Sequence, residues 1–150
     1  MSPTGIQLKR YEQSLTRLLA AFDHAHVVYN RRHDGRLSGA PRHVQVMIHG
    51  AVAGLPLTVA VECRQQHRPV GISCVEHFVA KLEDLGADRG VLYSCAGFTV
   101  AAGNRAAHTH DPAVLAISIG EPAAPRIPRQ RRGGSGTSAD YAHFLRYPAV

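Results

Sequence analysis

A chain of 150 residues with 45% hydrophobic and 6% aromatic side chains is the size of one globular core, which excludes an array of large domains. Its apolar runs break at Gly, Pro or Thr well short of the ~20 residues a membrane span needs. The opening MSPTGIQLKRYEQS also has no apolar stretch to serve as a signal peptide, so a cytoplasmic location is expected. The net charge of +6 at pH 7 suits a polyanionic partner.

Residues 6–22 fit an amphipathic helix, with Tyr11, Leu15, Leu18 and Phe22 along one stripe. Residues 25–29 suggest a short strand, and 30–42 a polar loop carrying Arg31, Arg32, Asp34 and Arg42. Residues 43–64 alternate with period two on both sides of Ala53-Gly54, the pattern of a β-hairpin. Folding about that point sets Val44 opposite Cys63, Val46 opposite Val61 and Ile48 opposite Val59. On the polar face the same register sets Gln45 opposite Glu62 and His43 opposite Arg64. A slip of one residue would turn the apolar side chains to the wrong face, so the register is well constrained.

A basic loop at 64–69 follows, with Gln65, Gln66 and Arg68. Ser73 and Glu76 have capping-box spacing for a helix whose core stripe is Val75, Phe78, Val79 and Leu82, with Gly86 as its stop. Residues 90–95 form a buried strand, Thr99 caps a short helix to Ala107, and 113–119 form a last strand. This order predicts an α/β fold with helices on the faces of a mixed sheet. Residues 1–120 then make the folded domain. Residues 121–150, with five arginines against Glu121 and Asp140, make a basic Pro/Gly/Arg-rich flexible tail in which Tyr141, Phe144 and Leu145 could form one docking turn.

The stretch from Glu62 to Ala102, ECRQQHRPVGISCVEHFVAKLEDLGADRGVLYSCAGFTVAA, resembles the restriction-endonuclease-like (PD-(D/E)XK) superfamily, most closely its Mrr-type branch. The likeness spans roughly Gly5 to Gly120. It rests on ordered short motifs: a strand ending in Glu-Cys-cation, a basic loop with Pro-Val, a helix, a Gly-Ala-Asp-x-Gly turn, a strand and a Gly-Phe-Thr helix start. The resemblance implies a single restriction-endonuclease-like domain, a mixed β-sheet with a central hairpin flanked by helices. It also implies divalent-metal-dependent hydrolysis of double-stranded DNA, with Mg²⁺ or Mn²⁺, and a homodimer or nuclease partner subunit. The family's hairpin carries Asp on the first strand and Glu-x-Lys on the second. Here the Asp position is Gln45, the Glu is Glu62 and the Lys is Arg64, so two of three signature residues differ.

Residue by residue, the resemblance implies catalytic roles for Glu62, Arg64 and Gln45, and for Lys81, since some members place the lysine on this helix. Metal ligands would be Glu62, Gln45, the Cys63 backbone carbonyl and Glu12 on the first helix. DNA contacts would come from Arg31, Arg32, Arg42, Gln66 and Arg68. A hard divalent ion favours carboxylates, and Gln45 supplies only a neutral amide. Arg64 is planar and permanently charged, unlike a compact ammonium. Glu12 and Lys81 equally fit solvated helix positions, and Asp34 fits a turn.

Other chemistry is weakly supported. His24-x-His26 and His108-x-His110-Asp111 lack a second ligand set of zinc spacing. Ser94-Cys95-Ala96-Gly97 suits a tight strand-to-helix turn better than a nucleophile elbow. Cys63, Cys74 and Cys95 are odd in number and contain no CxxC, as expected of reduced thiols. Two classes stay open: a metal-dependent endonuclease weakened by its substitutions, and a degenerate nuclease-fold module that binds DNA or a partner protein without cutting.

Overall fold

Ala53 and Gly54 both hold positive φ, 51° and 78°, the left-handed pair that lets a two-residue turn match the twist of its strands. They join β2 (Pro41–Val52) to β3 (Leu55–Arg64) in the computed structural model, which describes residues 4–120. The expected tail at 121–150, with its docking turn, lies outside the described residues. Helix α1 (Gly5–Ala20) and strand β1 (Asp23–Asp34) precede the hairpin. After it come α2 (Ile72–Leu85), β4 (Arg89–Ser94), α3 (Val100–Ala107) and β5 (Ala113–Ser118).

The five strands form one sheet in chain order, antiparallel from β1 to β3 and parallel from β3 to β5. One face buries Val46, Ile48, Val59, Val61, Val91 and Tyr93 beneath the α1 stripe of Tyr11, Leu15, Leu18 and Phe22. The opposite face buries Met47, Ala60 and Leu92 against Val75, Phe78, Val79 and Leu82 of α2 and Ala102 and Ala106 of α3. The result is the expected mixed α/β sheet with helices on both faces. Gly90 lets α2 lie close: a Cβ there would come within 2.5 Å of Leu82 and 2.6 Å of Phe78. No helix of the described residues is long and apolar enough to cross a membrane.

Three local expectations are corrected. The polar loop 30–42 shrinks to residues 35–40, because β1 runs on to Asp34 and pairs it with Pro41. The Ser73 capping box is absent: the N-cap is Gly71, two residues earlier, and it provides no side-chain cap. A capping box does occur at α1, between Thr4 and Gln7. Thr99 caps α3 as expected, and Gly86 ends α2 in the left-handed conformation.

The third correction bears on the site. Val46 pairs with Val61 and Ile48 with Val59 as expected, yet Val44 packs with Met47 on the α2 face, while Cys63 packs on the α1 face. Alternation therefore slips by one residue between Gln45 and Val46. Gln45 and Glu62 do not share a face, and neither do His43 and Arg64.

Loop 35–40 is held by a residue with no signal in the sequence. The buried Asp84 accepts from Leu37 N, Ser38 N and Ser38 Oγ at 3.1, 2.8 and 2.6 Å, and from Arg42 Nε at 2.5 Å. The Ser38 hydroxyl and amide, then Arg42, hold its carboxyl well below the ordinary carboxylate range. A depressed folded-state pKa adds stability that is complete above the unfolded value of about 4 and lost as pH falls below it. Asp84→Asn should therefore lower denaturant stability at neutral pH, with the gap from wild type closing as the titration is carried into acid. A gap constant with pH would contradict this.

Candidate functional site

Strand β3 turns Glu62 and Arg64 toward α2, from which Lys81 reaches back. Glu62 is 3% exposed. Its Oε1 accepts from Lys81 Nζ and its Oε2 from an Arg64 terminal nitrogen at 3.1 Å. Lys81 also donates to the His43 carbonyl at 3.1 Å, and its side chain is 12% exposed. A buried carboxylate without partners would be strongly destabilising, and here each oxygen has its own cation. Of the sequence-predicted catalytic residues, Glu62, Arg64 and Lys81 come together, and Gln45 does not join them. The Arg64 Nε is buried without a partner among the described residues.

Gln45 lies on the α1 side, where its amide clasps the backbone of Cys63. Cys63 N donates to Gln45 Oε1 at 2.8 Å, and Gln45 Nε2 donates to the Cys63 carbonyl at 3.3 Å. The side chain thus stands in for a ladder rung where the strands part. The Cys63 thiol is pushed up to about 12, first by burial and then by neighbouring Cys95, so it stays protonated.

These residues do not fit a divalent cation. Among the described residues Glu62 is the sole carboxylate of the cluster, and both its oxygens are engaged by cations. The Cys63 carbonyl, an expected ligand, is taken by an amide that cannot offer negative charge. Glu12 is exposed on α1, across the sheet from Glu62, and Asp34 is exposed at the end of β1. The histidines do not compensate: His26 stacks on His49 with centroids 6.5 Å apart, and the His108 ring contacts the Asn104 carbonyl. Among the described residues no group of three or more His, Cys, Asp or Glu is placed to hold a metal ion. Ser94 is no nucleophile either: its hydroxyl donates to Gly97 O at 2.7 Å across a tight turn.

The family model described as restriction endonuclease, for the Mrr catalytic domain, matches residues 6–118. The chain belongs to the restriction endonuclease family. Among solved structures, a protein of unknown function, AF1548, is similar at 14% identity and a TM-score of 0.55, covering 79% of this chain and 61% of its own. The DNA modification-dependent restriction endonuclease AspBHI aligns at 17% identity and a TM-score of 0.47, over 75% of this chain and 28% of its own. A repair endonuclease from Pyrococcus abyssi aligns at 16% identity and a TM-score of 0.49, over 81% of this chain and 49% of its own. The chain thus spans less than two thirds of each of these proteins. Comparison with curated protein sequences finds no match.

In this Mrr-type domain the expected DNA-contact residues divide. Arg31, Arg32 and Arg68 are exposed. Arg42 is drawn into the Asp84 pair, and Gln66 donates to the Arg68 and Pro69 carbonyls of its own loop, at 3.0 and 3.5 Å. Sequence reasoning missed a cleft of about 580 Å³ on the α1 side, which Gln45 shares with Tyr11, Tyr29, Asn30, His43 and Gln65. Tyr11 was legible only as a core position, and Tyr29 only as part of a strand.

The ion cluster should behave as one unit. Lys81→Met should destabilise the fold by about 1–3 kcal/mol, below the usual cost of breaking a buried pair because Arg64 remains. Adding Glu62→Gln should recover part of that loss, since the orphaned charge disappears. A denaturation double-mutant cycle with strictly additive effects would show that the pair is not coupled.

Proposed function

We propose that this Mrr-type domain binds double-stranded DNA and does not hydrolyse it. One observation carries the reading: both Glu62 oxygens are neutralised by Lys81 and Arg64, while Gln45 occupies the Cys63 carbonyl. Phosphodiester hydrolysis in such enzymes relies on a divalent ion that activates water and offsets phosphate charge. Among the described residues no set is placed to hold one. Binding needs less: exposed arginines that displace counterions from the phosphate backbone. The family membership, the net charge of +6, and the exposed Arg31, Arg32 and Arg68 support that role.

Residues 1–120 would carry the fold, and the basic segment 121–150 would add sequence-independent affinity. Binding to duplex DNA should weaken steeply with salt. Deleting 126–150 removes Arg126, Arg129, Arg131, Arg132 and Arg146, and should flatten the log K against log salt slope by up to about 4.5, at ~0.9 per phosphate neutralised. An unchanged slope would show that this segment does not touch DNA.

Chemistry is tested by titrating wild-type protein with Mg²⁺ and Mn²⁺ in a calorimeter and incubating it with supercoiled plasmid. No binding heat and no nicking are expected. Gln45→Asp with Arg64→Lys should still bind no divalent ion, because position 45 lies on the α1 side, away from Glu62 and its two cations. Metal-dependent nicking by wild type that disappears in Glu62→Ala would overturn the non-cutting reading and establish a metal-dependent endonuclease.

A further inference from the structure

We propose that the cleft between α1 and the β1–β2 edge is a site for a single unpaired nucleobase. The inference rests on the DNA-binding reading and adds to it a specific ligand class. At about 580 Å³ the cleft lies within the roughly 300–1,000 Å³ typical of small-ligand sites. Among the described residues no Asp, Glu, Lys or Arg lines it, which argues against a phosphate, a metal ion or a charged amine. It offers two phenol rings, from Tyr11 and Tyr29, three carboxamides, from Asn30, Gln45 and Gln65, and the His43 imidazole. Rings stack on flat neutral faces, and amides present both donors and acceptors. A heteroaromatic ring with a donor–acceptor edge is the ligand that uses both.

The backbone is built to assemble this lining. Consecutive strand residues normally point to opposite faces, yet Tyr29 and Asn30 both line the cleft, as do Gln45 and Val46. The two slips stand side by side, since Tyr29 pairs with Val46 and Arg31 with Val44. On β1 the slip coincides with Asn30 at φ 45°, a left-handed conformation that side chains other than Gly adopt at a cost, Asn least reluctantly. Both departures bring a carboxamide to the α1 face. Gln45 uses one donor and one acceptor on Cys63, which leaves the amide a second of each.

The two tyrosines differ in how they are held. Tyr11 packs edge-on against Tyr93 with centroids 5.0 Å apart, and Tyr93 is tied by its hydroxyl to Ser14 at 2.7 Å. Burial raises the Tyr11 phenol to about 12, so it remains a hydrogen-bond donor at neutral pH. Tyr29 is 56% exposed and offers an open face at the rim. Arg31 and Arg32 continue β1 beyond Asn30 as exposed cations, so fixed positive charge lies beside an uncharged cleft. That division suits a nucleotide whose base enters while its phosphates stay outside. A paired base cannot enter, so the ligand must be mismatched, single-stranded or swung out of the stack.

The test uses the full chain and two probes: a fully paired duplex, and the same duplex with one unpaired 2-aminopurine. Binding is followed by anisotropy and base stacking by 2-aminopurine fluorescence. The unpaired probe should bind roughly tenfold more tightly, as one base–aromatic stack provides, with its fluorescence altered on binding. Tyr29→Ala and Asn30→Gly should bring the two affinities together, and Tyr29→Phe should preserve the preference. Asn30→Gly keeps the positive φ while removing the amide, so its effect does not reflect misfolding. Equal affinities for both probes in wild type would overturn the base site and leave DNA binding standing. Binding of neither would overturn the DNA reading, and the cleft would then be judged on free nucleosides. Perturbed Tyr29 and Gln65 NMR signals with adenosine or cytidine would support it, and unperturbed signals would overturn it.

Discussion

A carboxylate that is 3% exposed is tolerated only beside positive charge, and Glu62 obtains that charge from two directions. Arg64 lies two residues along its own strand, and Lys81 comes from α2, across the core that Phe78 and Val79 fill. Helix and strand are thereby locked in rotation as well as distance, because a turn of α2 about its axis would carry Lys81 away. The same neutrality shapes the chemistry. A divalent ion approaching Glu62 would have to displace an ammonium and a guanidinium from an already compensated anion, and Gln45 brings no second charge to help.

Much of the architecture was legible because it follows from periodicity. The α1 stripe, the α2 stripe ending at Gly86, the Thr99 cap and the Ala53-Gly54 turn each depend on residue types at fixed spacing. Val46 against Val61 and Ile48 against Val59 followed from the same logic. Period-two reasoning assumes an unbroken strand, however, and fails at Gln45, where a side-chain amide supplies the hydrogen bonds of a missing rung. No local pattern announces such a substitution, since it depends on Cys63 being eighteen residues away in sequence and adjacent in space.

The candidate site was legible in part for the same reason. Glu62, Arg64 and Lys81 meet because a strand and a helix hold them at predictable faces. Glu12 and Gln45 were assigned to that group by motif, and the sheet places both on its other side. Arg42 looked like one more surface cation, and it is instead committed to Asp84. The family pattern identifies the scaffold, while the atoms around each position decide what the scaffold still does. Here two signature positions have been absorbed into internal hydrogen bonding.

The break in β1 at Asn30 also bears on how the molecule keeps to itself. A twelve-residue strand at the edge of a sheet is an open template on which another chain can extend the ladder. Left-handed backbone at His24 and Asn30 interrupts the regular spacing of its outward N–H and C=O groups. Arg31 and Arg32 then place two like charges where an incoming copy would place its own. Strand-to-strand association along β1 is disfavoured by both shape and charge, so the longer edge of the sheet among the described residues is guarded against fibrous self-assembly in part by Asn30, which also lines the cleft.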